Sequence, residues 1–142
     1  MELVDANVLL YAVNADAQHH DRSRRWLDGS LSGGSTVGLA WAVLLAFVRL
    51  STKAEVFPRP LTADQAMDVV DAWLAAPAAV IVEPTRDHPR VLRRLLRELG
   101  TGANLTNDAH LAALSIEHRC AVVSYDSDFG RFAGVDWHTP PA

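Results

Sequence analysis

Four aspartates in this sequence stand where carboxylates can do chemistry. Asp5 closes the short apolar run Glu2-Leu3-Val4, and Ala6-Asn7 then leads into a second apolar run from Val8 to Val13. Asp108 opens the alanine-rich segment Ala109 to Ile116, and Asp126 and Asp128 follow Cys120-Ala121-Val122-Val123-Ser124. Carboxylates gathered in a low dielectric repel one another, so a site that they share calls for a cation. All-oxygen ligands suit Mg²⁺ or Mn²⁺. An ion held in this way can deprotonate a water and stabilise charge on a phosphate oxygen. The plainer alternative for Asp5 is a helix cap, a position that aspartate favours. Asp108 is equally at home in a first helical turn, where the helix dipole favours negative charge.

Bringing these residues together is the task of the elements around them. Val4-Asp5-Ala6-Asn7 reads as strand, turn and helix, placing Asp5 at the carboxyl end of a strand, where ligand groups collect in open α/β sheets. His19 to Gly29 is polar with apolar anchors and is expected to be a surface helix, with His19 and His20 solvated rather than metal ligands. Ser32-Gly33-Gly34-Ser35 is a loop and Thr36 to Leu39 a short strand. Trp41 to Leu50 is apolar nearly all round and is expected to be a buried helix, with Arg49 as its one charge. Pro58 and Pro60 mark a connection. Thr62 with Gln65 three residues on is a capping box, opening a helix striped by Ala66, Val69, Val70, Trp73 and Leu74. Ala79 to Val82 has the character of a fully buried parallel strand. Asp87 to Leu99 is amphipathic, with Val91, Leu92, Leu95, Leu96 and Leu99 on one face and Arg90, Arg93, Arg94 and Arg97 on the other. The arginine row is either a solvated face or a track for a phosphate backbone. After Cys120 to Ser124, Gly134 to Trp137 supplies a possible last strand. Strands alternating with helices predict a parallel sheet of four to five strands covered on both faces, an α/β fold in three layers forming a single domain over residues 1–142.

The bulk properties narrow the choices. The chain has 142 residues, a length that suits one core. No apolar run approaches the roughly 18 residues of a membrane span, and Asp5 interrupts the opening run, so neither a span nor a signal peptide is expected. The lone Cys120 cannot form an internal disulfide and is expected to be a buried, reduced thiol, in keeping with a cytoplasmic location. A net charge of −4 argues against broad affinity for polyanions, though a local basic patch can coexist with acidic residues around a metal. A phosphotransferase with a nucleophilic aspartate would show Asp-x-Asp after its first strand, whereas this chain has Asp5-x-Asn7. A receiver domain would need a lysine near its fifth strand, and the only lysine is Lys53. No glycine-rich nucleotide-binding loop is present.

Three stretches together resemble a known family. Val4-Asp5-Ala6-Asn7-Val8-Leu9-Leu10-Tyr11, Asn107-Asp108-Ala109-His110-Leu111-Ala112-Ala113-Leu114 and Ser124-Tyr125-Asp126-Ser127-Asp128-Phe129 are similar, in order and spacing, to the acidic motifs of PIN-domain ribonucleases. The similarity is greatest to the VapC toxins of type II toxin–antitoxin systems. The resemblance implies a PIN-like α/β/α fold, Mg²⁺-dependent cleavage of RNA (Mn²⁺ as the substitute ion), a homodimer and inhibition by a cognate VapB-type antitoxin. Carried over by position, Asp5, Asp108 and Asp126 match the catalytic metal-binding aspartates and Asp128 a companion ligand. Asn7 and Ser124 match polar residues that line the site. Arg49 is a candidate to meet an RNA phosphate or an acidic group of the antitoxin tail. One position departs from the pattern: Ala46 stands where many relatives carry a glutamate. Glu55 or Asp128 could compensate, or the chain could be a catalytically weak PIN-like module that binds RNA or a partner. A metal-dependent phosphatase or DNA nuclease using the same acids is a further rival.

Overall fold

The computed structural model describes all 142 residues. Its elements are β1 (Glu2–Val4), α1 (Ala6–Val13), α2 (His20–Gly29), β2 (Val37–Leu39), α3 (Trp41–Ser51), α4 (Ala63–Ala75), β3 (Ala79–Ile81), α5 (His88–Leu99), α6 (Thr106–Glu117), β4 (Ala121–Val123) and β5 (Trp137–His138). All pairings are parallel, and the five strands run in the order β3-β2-β1-β4-β5. From β1 the chain moves outward through β2 to β3, then returns to the other side of β1 for β4 and β5. Right-handed crossovers in opposite directions put successive helices on opposite faces of a sheet. Accordingly α1 packs on α2 and α3, with α4 on α3, while α5 and α6 pack on each other. The direction reverses between β1 and β4, the kind of switch point where open parallel sheets place their ligands.

The centre of the sheet is its driest part. Leu3, Val4, Val37, Leu39, Val122 and Val123 are fully buried, as are Phe47 and Phe129 from the covering segments. Each such side chain contributes roughly 1.5–3 kcal/mol when withdrawn from water. The outlying expectations fare differently. β3 lies at the edge rather than in the interior, and Val80 and Ile81 are each 44% exposed. A β-branched run does not encode how many neighbours its strand has. α3 is likewise only half buried. Val43, Leu44 and Phe47 face the core, while Trp41 and Leu45 are 42% and 61% exposed, because a helix lying on a sheet covers one stripe only. β5 forms later than the pattern implies, at Trp137–His138, after a turn at Gly134 with φ 83°. Cys120 precedes β4 and is half-buried, and burial pushes its thiol upward. His19 and His20 are structural rather than solvated. The His19 ring stacks on Tyr125 at 4.4 Å, and His20 Nδ1 lies 2.8 Å from the Tyr11 carbonyl.

Local rules hold well on the helices. Thr62 and Gln65 form both halves of the capping box on α4. Gly100, with φ 76°, ends α5 in the left-handed conformation that glycine adopts at least cost. A polar chain then locks α5 to α6. His88 Nδ1 meets Glu117 Oε2 at 2.5 Å, His88 Nε2 meets His110 Nδ1 at 2.9 Å, and the Thr85 amide and hydroxyl both donate to Glu117 Oε1. Burial pushes the Glu117 carboxyl upward, but hydrogen bonds from His88 and Thr85 outweigh it and hold the group below its ordinary 4.5. A depressed carboxylate stabilises the fold above its unfolded value, and that contribution disappears as pH falls through the folded value. Glu117→Gln is therefore expected to cost about 1–3 kcal/mol at neutral pH, the range for leaving a buried partner imperfectly satisfied. Urea unfolding should show the gap to the native protein closing in acid. A gap that stays constant in acid would mean that the carboxylate charge contributes nothing.

Candidate metal-binding site

The switch point fixes which side chains meet. Asp5 follows β1 as the N-cap of α1, and its Oδ1 accepts the Ala6 amide at 2.8 Å. Its second oxygen is turned to the neighbouring strand, where it accepts the Ser124 hydroxyl at 2.7 Å. Asn7 spans the same gap. Its Nδ2 donates to Ser124 Oγ at 3.1 Å, and its Oδ1 accepts the Tyr125 amide at 3.2 Å. Ser124 Oγ in turn accepts the Asp126 amide at 3.0 Å. Asp126 caps the short turn Ser127–Arg131, taking the Asp128 amide on Oδ1 at 2.9 Å. The carboxylates of β1 and β4 are thus wired together by neutral donors. Capping and site-building are not alternatives for Asp5, because one carboxylate oxygen does each.

Asp108 reaches this cluster from the first turn of α6. Carboxylate oxygens of Asp108, Asp126 and Asp128 all lie within 4.8 Å of one another, and all three residues are partly buried. Asp5 lines the same hollow as Asp108 but stands beside this trio, its oxygens engaged by Ala6 and Ser124. The structure therefore brings Asp128 into the group that a single ion could bridge. Arg131 lies 3.7 Å from Asp128, an exposed ion pair at the rim.

A cavity of about 460 Å³ opens in front of Asp5 and Asp108. Its walls include Ala42, Ala46 and Arg49 from α3, with Asn104 from the turn before α6 and Asn107 from the first turn of α6. Ala46 does face the site, so the missing glutamate leaves a methyl group on the wall. Glu55 is on the exposed turn after α3 and is not part of the lining. Asn104 and Asn107 were not singled out by sequence. Asn107 adjoins Asp108 within its motif, but Asn104 lies in the single 3₁₀ turn Ala103–Leu105, too short to carry a periodic signal.

The electrostatics show the strain of gathering acids. Burial, then the charge of Asp126, pushes Asp108 up to about 6, with smaller repulsion from Asp5 and Asp128. Asp5 is raised chiefly by burial, against the hydrogen bonds of Ser124 and Ala6. A carboxyl whose folded value exceeds its unfolded 3.8 costs stability once it ionises. That cost is absent well below the unfolded value and complete above the folded one. In metal-free buffer, Asp108→Asn should therefore stabilise the protein by about 1–2 kcal/mol above neutrality, a figure discounted for partial solvent screening. The gain should vanish in acid. Thermal melts in chelator across pH test this, and a destabilised Asn variant at neutral pH would contradict it.

Fold and site together define a class. The chain belongs to the PIN-domain family, whose pattern, described as "PIN domain", matches residues 3–135. Its relatives within that family are VapC ribonucleases. Ribonuclease VapC37 of Mycobacterium tuberculosis is 63% identical over 142 residues, covering 100% of this chain and 99% of that protein. Ribonuclease VapC33 of the same species is 36% identical over 140 residues, covering 99% and 98%. Among solved structures, VapBC2 from Rickettsia felis, bound to a promoter DNA fragment, superposes with a TM-score of 0.72 at 18% identity over 97% of each chain. VapC20 of M. tuberculosis, described as a sarcin-ricin loop cleaving toxin, gives 0.69 at 17% identity over 96% of this chain and 99% of that one. At such identities the likeness speaks for the fold. Ribonucleases of this family depend on a metal ion, and the acidic trio is a donor set of the matching kind. No helix is long and apolar enough to cross a membrane.

Proposed function

We propose that this chain is the toxin of a type II toxin–antitoxin pair, a single PIN domain that cleaves RNA in the cytoplasm with Mg²⁺, or Mn²⁺ in its place. The observation that carries the reading is the meeting of Asp108, Asp126 and Asp128 within 4.8 Å, with Asp108 and Asp5 both lining one cavity. Their oxygens are hard donors suited to a hard divalent cation, and partial burial leaves room for the waters that Mg²⁺ retains. Such an ion supplies an activated water and charge stabilisation at the scissile phosphate.

The chain's own residues do the rest. Ser124 and the Ala6 amide fix the orientation of Asp5 on the cavity wall, which lowers the rotamer entropy lost when a ligand binds there. Asn7 holds the ends of β1 and β4 in register through Ser124 and Tyr125. Arg49, on the cavity wall a turn beyond Ala46, is placed to meet a phosphate of the substrate or an acidic group of the antitoxin. A cognate VapB-type antitoxin and a second copy of the chain are the partners proposed. The exposed Trp41 and Leu45 on α3 offer apolar surface for such contacts.

Chelation with EDTA should abolish RNA cleavage, and added Mg²⁺ or Mn²⁺ should restore it. Cleavage that survives EDTA would end the metal reading. Asp5→Asn should remove activity and toxicity while leaving a folded protein. Ser124→Ala, which loosens a ligand's support rather than deleting the ligand, should cost roughly 10–100-fold in activity or metal affinity. The second reading, a PIN-like module that binds without cutting, rests on the alanine at position 46. It would prevail if purified, antitoxin-free protein bound Mn²⁺ and RNA yet cut none of a panel of RNAs. Arg49→Ala should weaken RNA or antitoxin affinity, and unchanged affinity for both would remove Arg49 from the site.

A further inference from the structure

The arginine row of α5 is left without a partner by the fold. Arg93, Arg94 and Arg97 are exposed and make no ion pair or side-chain hydrogen bond, and Arg90 reaches only Asp87, at 3.7 Å with both side chains largely in water. The spacing makes matters worse for the isolated helix. Arg90 and Arg94, and Arg93 and Arg97, are like charges four residues apart, an arrangement that destabilises a helix. The protein carries this row despite a net charge of −4. Within the molecule only Asp87, at one end, and Glu98, beside Arg94 and Arg97, stand against its four charges.

The surface around the row is shaped as well as charged. Beside the guanidinium groups runs an open hollow of about 730 Å³ with Leu92 and Leu96 in its floor, ending at Gly100 and Thr101. The loop that continues from there reaches Asn104 on the wall of the carboxylate cavity and then Asp108. Arg90 to Arg97 spans two helical turns, so the row extends about 10 Å back from that end. Guanidinium groups bind phosphate oxygens bidentately, and their planes, with an apolar floor, accept the faces of unpaired bases.

We infer that this face of α5 is a sequence-independent docking strip for single-stranded RNA, leading the strand along Gly100–Asn104 to the aspartates. The inference rests on the ribonuclease reading above. It also resolves a difficulty of that reading, since a cluster of carboxylates repels the substrate's backbone and some basic surface must hold the strand nearby. An acidic protein tail is the competing occupant. The leucine floor and the lead into the cavity favour RNA.

The test uses poly(U) as probe and the full chain bearing Asp5→Asn, so that binding is read without cleavage. Arg93→Gln/Arg97→Gln in that background keeps helix propensity and removes only charge. Affinity should fall roughly tenfold or more at about 0.1 M salt, and the slope of log affinity against log salt should flatten by about 1.4, since each lost contact to a single strand is worth about 0.7. Arg24→Gln/Arg59→Gln is the control. Those groups already pair with Asp28 and Asp16, and the slope should hold. An unchanged slope in the α5 variant overturns the strip, as does equal flattening in the control. So does loss of antitoxin affinity with the RNA slope intact. Failure of the underlying reading is separable. It would show as absence of cleavage by the native chain with Mg²⁺, whatever the slopes.

Discussion

Mutual repulsion among carboxylates at the ends of two adjacent parallel strands is the constraint that this structure is built to hold. Strand order sets it up, because the reversal between β1 and β4 leaves Asp5 and Asp126 on neighbouring strand ends. Neutral groups contain it. Ser124 donates to Asp5 and receives the Asp126 amide, while Asn7 bridges to Ser124 and Tyr125. None of these donors carries charge, so the acids are oriented without being neutralised. Asp108, which accepts no hydrogen bond of this kind, is pushed up to about 6 by burial and by the neighbouring carboxylates. The cost of that arrangement is met by the dry centre of the sheet and by the His88–Glu117 lock on the far pair of helices.

Much of this is legible in the amino-acid sequence. Apolar runs of three or four residues ending at Asp5 and Ser124 identify parallel strands, and helical periodicity identifies what crosses between them. The capping box at Thr62 appears as written. What the sequence did not disclose is position. Ala79-Val80-Ile81 reads the same at an edge as in an interior, and α3 reads as buried although Leu45 faces outward. The site shows the same division. Residue types announced the aspartates, yet the split between Asp5, engaged by its donors, and the trio of Asp108, Asp126 and Asp128 depends on side-chain geometry. Asn104 is on the wall because a single 3₁₀ turn precedes α6, which no periodicity records.

Charge is distributed with the same economy. Acids converge at one end of the sheet, while the bases of α5 lie along a helix whose inner face is packed by Val91 and Leu95. Amphipathic patterning separates the two without a second domain. Ala46 belongs to this picture. Where a fifth acid would sharpen the repulsion, the wall carries a methyl group, with Arg49 a turn further along the same helix.

The central place of β1 also governs when the site can exist. A chain made from its amino terminus presents Asp5 first, but β1 pairs on one side with Val37–Gly38 and on the other with Ala121–Val123. Until translation has passed those last residues, half of the ladder beside Asp5 is missing, along with Ser124, Asp126 and Asp128. A product truncated there therefore holds Asp5 and Asp108 without the rest of the cluster. The order of synthesis acts as a built-in delay, and a ribosome producing this protein holds an incomplete site until Asp128 has been added and β4 has paired with β1.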